Sequence, residues 1–192
     1  VSQRLRTLYE LPKLPRGIVI LPVTTAMLRT PPLHYVEGNT LDLQIGDTFN
    51  STAFAKKLSL NGYRTVETVY EHGEMAIRGA LLDVFPMGSE VPYRIDLLDD
   101  EVETLRTFDP ETQRTVDRVD QIKLMPAREF PIGGDAIHRF QMAWFESFDG
   151  DADLCPAFTE LSAGRVPGGA EYYLPLFFEH CGTVFDYLPN LS

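Results

Sequence analysis

Five carboxylates, Asp96, Asp99, Asp100, Glu101 and Glu103, crowd into the stretch "DLLDDEVE". Such a cluster could hold a divalent cation or supply an acid/base pair. Consecutive acids on a strand point to alternate faces, however, so these do not converge. No histidine accompanies them: His34, His72, His138 and His180 are scattered along the chain, without an HExxH spacing. The run reads instead as a solvated acidic edge, which also discourages edge-to-edge strand pairing. Cys155 and Cys181 lack the CxxC spacing of a zinc site and read as two buried, reduced thiols of a cytosolic protein. There is no GxxxxGK[ST] loop to cradle phosphates and no GxSxG elbow. The sequence therefore offers no catalytic residue, no cofactor site and no metal site.

Arg78 and Arg94 pose a different question. Both interrupt apolar, alternating runs, "AIRGALLDVF" (76–85) and "YRIDLL" (93–98), which flank the turn-like "PMGSEVP". The pattern predicts a β-hairpin. Residues two apart on a strand share a face. Arg78 then falls with Ala80, Leu82 and Val84, and Asp83 falls on the other face with Ile77, Gly79, Leu81 and Phe85. In the second arm Arg94, Asp96 and Leu98 share a face. Closing the hairpin places Arg94 and Leu98 beside Arg78, so that arginines and apolar side chains mix on a solvent-facing surface. Two readings stay open on the pattern. In one, each arginine pairs with a neighbouring acid such as Asp96 or Asp100, for little energy. In the other, the face docks a partner, since arginine beside apolar area is the composition of interface hot spots.

The elements that would position this hairpin are legible at low resolution. The chain has 192 residues, 44% of them hydrophobic and 23% charged, as expected of a folded globular protein with one full domain and part of another. "SQRLRTLYEL" reads as a helix and "GIVILPV" (17–23) as a strand buried on both faces. "LDLQIGD" (41–47) alternates as a strand. Ser51 caps a helix, "TAFAKKLSLNG", that Gly62 stops. "YRTVETVY", "MAIRGALLDVF", "YRIDLLDDEVETLRTFD" and "RVDQIKLMP" follow as strands. Their short connections predict antiparallel pairing. After Pro131, "GDAIHRFQMAWFESF" and "PAFTELSAG" read as helices, and "AEYYLPLFFE" and "TVFDYLP" as buried strands. The fold class is α+β, a small antiparallel sheet with a helix, set next to remnants of an α/β domain. On the pattern, "TPP" at 30–32 marks a boundary, roughly 33–118 reads as the small α+β domain, and the pattern changes after Pro131. The net charge of -11 disfavours a broad contact with nucleic acid. No apolar run approaches the roughly 20 residues of a membrane-spanning helix. The first residue is Val1, and we expect the chain to be a segment of a larger one.

The string "EHGEMAIRGALLDVFPMGSEVPYRIDLLDDEVETLRTFDPETQRT" (71–115) closely resembles the N-terminal UvrB-homology region of the bacterial transcription-repair coupling factors (Mfd). The "RG-x-LLD-x-FP" and "YRID…DDE-x-x-LR-x-FD" patterns carry the likeness. "MGSE" after "FP" and the later "EYYLPLFFE" favour that family over UvrB itself. The resemblance implies that residues 1–30 end a domain 1a, 31–118 form domain 2 and 119–192 belong to domain 1b. It implies a larger cytoplasmic protein that finds stalled RNA polymerase, displaces it with an ATP-driven DNA translocase and recruits the UvrA damage sensor. The motor and polymerase-binding modules lie elsewhere in that protein, and the UvrB-like region hydrolyses no ATP. Domain 2 is the UvrA-binding module in this family. Its interface arginines fall on Arg78 and Arg94, and its apolar contact falls on Leu98, where other members can carry phenylalanine. To these we add Gly79, whose lack of a side chain would allow close packing beside Arg78, with Asp96 and the peripheral Arg64 as further candidates. In the resting full-length protein of this family the face is covered. The rival expectation is a fragment of a UvrB-type, nucleic-acid-binding helicase. That would require a phosphate loop and a basic, aromatic hairpin facing DNA.

Overall fold

A computed structural model describes residues 2–189. In chain order the elements are α1 (Ser2–Glu10), α2 (Val23–Ala26), α3 (Leu33–Gly38), β1 (Leu41–Gln44), α4 (Ser51–Leu60) and β2 (Arg64–Thr65). Then come β3 (Glu74–Arg78), β4 (Leu81–Val84), β5 (Tyr93–Leu98), β6 (Glu101–Phe108), β7 (Thr115–Val119), β8 (Gln121–Leu124), α5 (Gly134–Ser147) and α6 (Pro156–Ser162). Short 3₁₀ turns occupy Leu11–Lys13, Ala152–Leu154, Ala170–Phe177 and Val184–Tyr187. The chain is α+β, and it divides into two compact units: residues 1–7 with 36–128, and residues 8–35 with 129–192.

The first unit holds both sheets. β1 and β8 form an antiparallel pair, and the other six strands form one sheet in the order β2-β3-β4-β5-β6-β7. Strict alternation divides the six-stranded sheet into two faces. Met75, Leu82, Val84, Ile95, Leu97, Val102 and Leu105 point inward and are buried with Leu58 of α4, while Phe54 and Ala55 of the same helix pack alongside. Each such side chain contributes about 1.5–3 kcal/mol on leaving water, which fixes the register of β4, β5 and β6. A slip of one residue would exchange Ile95 and Leu97 for Arg94 and Asp96. The α4 cap is Asn50 rather than Ser51: its side chain accepts a hydrogen bond from the Ala53 N–H at 3.0 Å, and Ser51 is already helical. Gly62, at φ +92°, ends the helix in the left-handed conformation that glycine favours.

The second unit is helical. Phe140 and Trp144 of α5 pack with Phe158 and Leu161 of α6 and with Leu174 and Phe177. The Phe140 and Phe177 rings stack at 4.9 Å. Cys155 and Cys181 are free thiols, each half-buried.

Four expectations from sequence are corrected. Residues 17–22 form no strand, and Ile18 and Ile20 are about nine-tenths exposed, at 90% and 91%. A buried strand needs neighbours to pair with, and none is present for this segment among the described residues. "AEYYLPLFFE" is a 3₁₀ turn: Ala170, Leu174 and Phe177 bury at helical spacing, and Pro175 has no N–H to give a ladder. "TVFDYLP" is another such turn, opened by Thr183 and Asp186, whose side chains each bond the other's backbone N–H. Finally, "YRTVETVY" contributes only the two residues of β2, and these pair parallel with β3. The return is made by residues 66–73, which lay Val66 and Val69 against Ala76, Phe85 and Phe108 instead of continuing as a strand.

The arginine-bearing face of the sheet

The "AIRGALLDVF" run is two strands, not one. Arg78 lies opposite Leu81, so Gly79 and Ala80 form a two-residue hairpin loop. Gly79 has φ +63°, as the first central position of such a loop requires. A Cβ built there would meet nothing within 4 Å, so within this chain the backbone conformation, rather than close packing, calls for glycine. Gly79→Ala is therefore expected to cost about 1–2 kcal/mol through the strained φ alone, read as a lower midpoint in urea unfolding.

The loop resets the alternation. Ala76 stands opposite Asp83, Asp83 opposite Arg94, Arg94 opposite Arg106, and Arg106 opposite Arg118. These five residues make one straight row across β3 to β7 on the outer face. A second row runs Arg78, Leu81, Asp96, Thr104. Asp83 is thus on the same face as both arginines, contrary to the single-strand parity. It is buried, with 1% of its surface exposed.

Asp83 is what meets the two arginines. Arg94 grips it in a two-pronged contact, donating from Nε to Oδ1 at 2.7 Å and from Nη2 to Oδ2 at 2.9 Å. Nη1 of Arg94 donates to the Gln113 carbonyl at 3.3 Å, and the guanidinium lies 4.8 Å above the Phe108 ring. Its hydrogen bonds to Asp83 hold the Arg94 guanidinium above its ordinary pKa, against the opposing effect of burial. The Arg94 side chain is 14% exposed, so it does not stand free in solvent as the alternation suggested. Arg78 also donates to Asp83, through Nη2 alone, and its side chain remains 45% exposed. Most donors of the Arg78 fork therefore remain open, whereas those of Arg94 are largely committed.

The remaining residues fall around this pair. Asp96 accepts from Arg106 and Thr104. Leu98 ends β5 and is 59% exposed. It alternates with Arg94 and Asp96 on the outer side, while Ile95 and Leu97 point inward. Arg64 lies on β2 opposite Glu74 and contacts Glu74 Oε1 at 2.5 Å. Burial raises the Glu74 pKa, but the Tyr70 and Glu71 N–H groups and Arg64 outweigh it and hold the carboxylate below its usual range. The acidic run does not converge. Asp99 and Asp100 are the two central residues of the β5–β6 hairpin, at φ 50° and 67°, which a short polar side chain tolerates better than most. Among the described residues no group of three or more His, Cys, Asp and Glu is placed to hold a metal ion.

Sequence reasoning thus brought Arg78, Arg94, Asp96 and Leu98 to one face, but missed Asp83, Arg106 and Arg118. "RGAL" was the available signal, since glycine at the first position of a two-residue loop breaks a run into a hairpin.

Residues 41–130, which contain every strand found among the described residues, match the UvrB interaction domain family. Over 190 residues the chain is 45% identical to the transcription-repair-coupling factor of Escherichia coli, and over 192 residues it is 44% identical to that of Haemophilus influenzae, so 98% and 99% of the chain align. Nearly the whole chain is similar to one segment of these transcription-repair-coupling factors. It spans 17% of the length of each of these two factors. The Staphylococcus haemolyticus coupling factor is 32% identical over 141 residues, 73% of the chain and 12% of that factor. Among the described residues, no helix is long and apolar enough to cross a membrane.

Proposed function

We propose that this chain is a noncatalytic adaptor segment of a cytoplasmic transcription-repair coupling factor, and that the outer face of its sheet docks UvrA in nucleotide excision repair. Arg78, Arg94 and Leu98 form the centre of the contact, with Gly79 shaping the turn, Asp96 beside it and Arg64 at the periphery. RNA polymerase and DNA are engaged by other domains of the larger protein, which also supply the ATP-driven motor. In this reading residues 1–30 complete a domain 1a, 31–118 are domain 2 and 119–192 are domain 1b.

The observation that carries the reading is the charge balance at Asp83. Two guanidinium groups share one buried carboxylate, and the one with open donors, Arg78, sits on the same outer face as the exposed apolar side chain of Leu98. A partner carboxylate meeting Arg78 would complete the pairing, while Leu98 would supply buried apolar area. Calorimetric titration of the chain with purified UvrA tests this: saturable binding that Arg78→Ala weakens supports it, and an absence of heat and of co-elution overturns it. The chain should also neither bind nor hydrolyse ATP, because it has no phosphate-cradling loop. A saturable ATPase rate that copurifies with the chain and is lost on mutating Asp99 and Asp100 would refute the noncatalytic assignment.

A further inference from the structure

We infer that the docking face does not end at β5 but continues across β6 and β7, with Arg106 and Arg118 extending the contact and Arg118 meeting an acidic protein surface directly. The inference rests on the proposed UvrA docking and names more of the same face.

Arg94, Arg106 and Arg118 are successive members of one register row on three adjacent strands. Neighbouring strands lie about 4.8 Å apart, so the Cα atoms of the three arginines span a line about 10 Å long. Like charges placed directly opposite on a sheet are destabilising, and this row sets two such pairs in succession. The fold offsets the first two arginines: Asp83 takes Arg94, and Asp96 takes Arg106. Arg118 stands at the edge strand, exposed, directly opposite Arg106. Across the two rows four arginines, Arg78, Arg94, Arg106 and Arg118, face two carboxylates, Asp83 and Asp96. These two rows therefore carry an excess of two positive charges on a chain whose net charge is -11. A positive strip on an acidic molecule rejects most of the cell's basic surfaces while drawing an acidic one into register. The complementary partner surface presents at least two carboxylates, one reaching the Arg78 fork and one reaching Arg118 at the far end of the row.

Nucleic acid phosphate is the other anion such a strip could meet, and the test separates the two. Arg118→Ala, Arg118→Glu and, as reference, Arg78→Ala are prepared in the full chain. Each is titrated with UvrA at low and moderate salt and with a short DNA duplex, alongside thermal melts. We expect Arg118→Ala to weaken UvrA binding about threefold and Arg118→Glu about tenfold or more. The wild-type affinity should fall with added salt more steeply than that of Arg118→Ala. Melting should be unchanged or slightly raised, since a like-charge pair is relieved. If both Arg118 variants bind UvrA as wild type does while Arg78→Ala does not, the extension is wrong and the docking centre stands. If the Arg118 variants change duplex binding only, the strip serves phosphate and the extension is likewise wrong. If no arginine variant alters UvrA binding, the docking assignment itself fails.

Discussion

Replacing Asp83 by alanine should cost the chain about 3–5 kcal/mol of stability, the usual penalty for removing one partner of a buried ion pair. The magnitude follows from what would be left behind. Arg94 points two donors at Asp83 from a side chain that is only 14% exposed. Without the carboxylate those donors lose their partner where water reaches poorly, over the Phe108 ring. Arg78 adds less to the loss, because its half-exposed guanidinium can turn to solvent. Against a typical total of about 5–15 kcal/mol for a domain, the loss would leave much of the population unfolded on mild heating. Asp83→Asn preserves the shape and removes the charge, so its cost should be smaller but still clear. Urea unfolding of the two variants measures both. If Asp83→Ala unfolds with the wild type, Asp83 does not organise this face.

Leu98→Asp should reduce UvrA affinity by about 2 kcal/mol or more while leaving the melting temperature unchanged. Leu98 is mostly exposed in the free chain, so the fold gains little from it. At a docked interface the same position would bury apolar area, and an aspartate there would be desolvated without a partner. It would also extend the negative charge of Asp99, Asp100 and Glu101 toward an acidic partner. Arg78→Ala should likewise cost about 1–3 kcal/mol of affinity with little loss of stability. Arg94→Ala is less clean, because it removes the two-pronged partner of Asp83 and should lower both. Calorimetry and melts run on the same samples separate the two effects. Wild-type binding by both Leu98→Asp and Arg78→Ala would dismiss this face as the docking site.

How far the sequence led depends on the range of the interactions involved. The alternation in β5 was plain, since Ile95 and Leu97 are separated by Arg94 and Asp96, and burial follows that division. Helices α4 and α5 announced themselves through apolar spacing, and Gly62 marked the end of α4, although its cap is Asn50 rather than Ser51. The hub at Asp83 was hidden because one local feature, the Gly79–Ala80 loop, lies inside an apolar run and inverts the parity of everything after it. Residues 17–23 were misread for the opposite reason. Their composition suits a buried strand, but strand formation depends on a neighbour that local composition does not describe. The pairing of β1 with β8 was out of reach for similar reasons, as the two lie at opposite ends of the unit's sequence.

That last pairing has a practical consequence. Leu41 lies opposite Leu124, so the first and last strands of the segment matched to the UvrB interaction domain come together as an antiparallel pair, with Cα atoms about 5 Å apart. A module whose entry and exit are adjacent occupies only one point of a host chain. It can be grafted between two residues of an unrelated scaffold, or removed and replaced by a short linker, without prising the host apart. The arginine-bearing sheet is in this sense portable, and a transplant of residues 41–124 into a neutral carrier should take its binding face along intact.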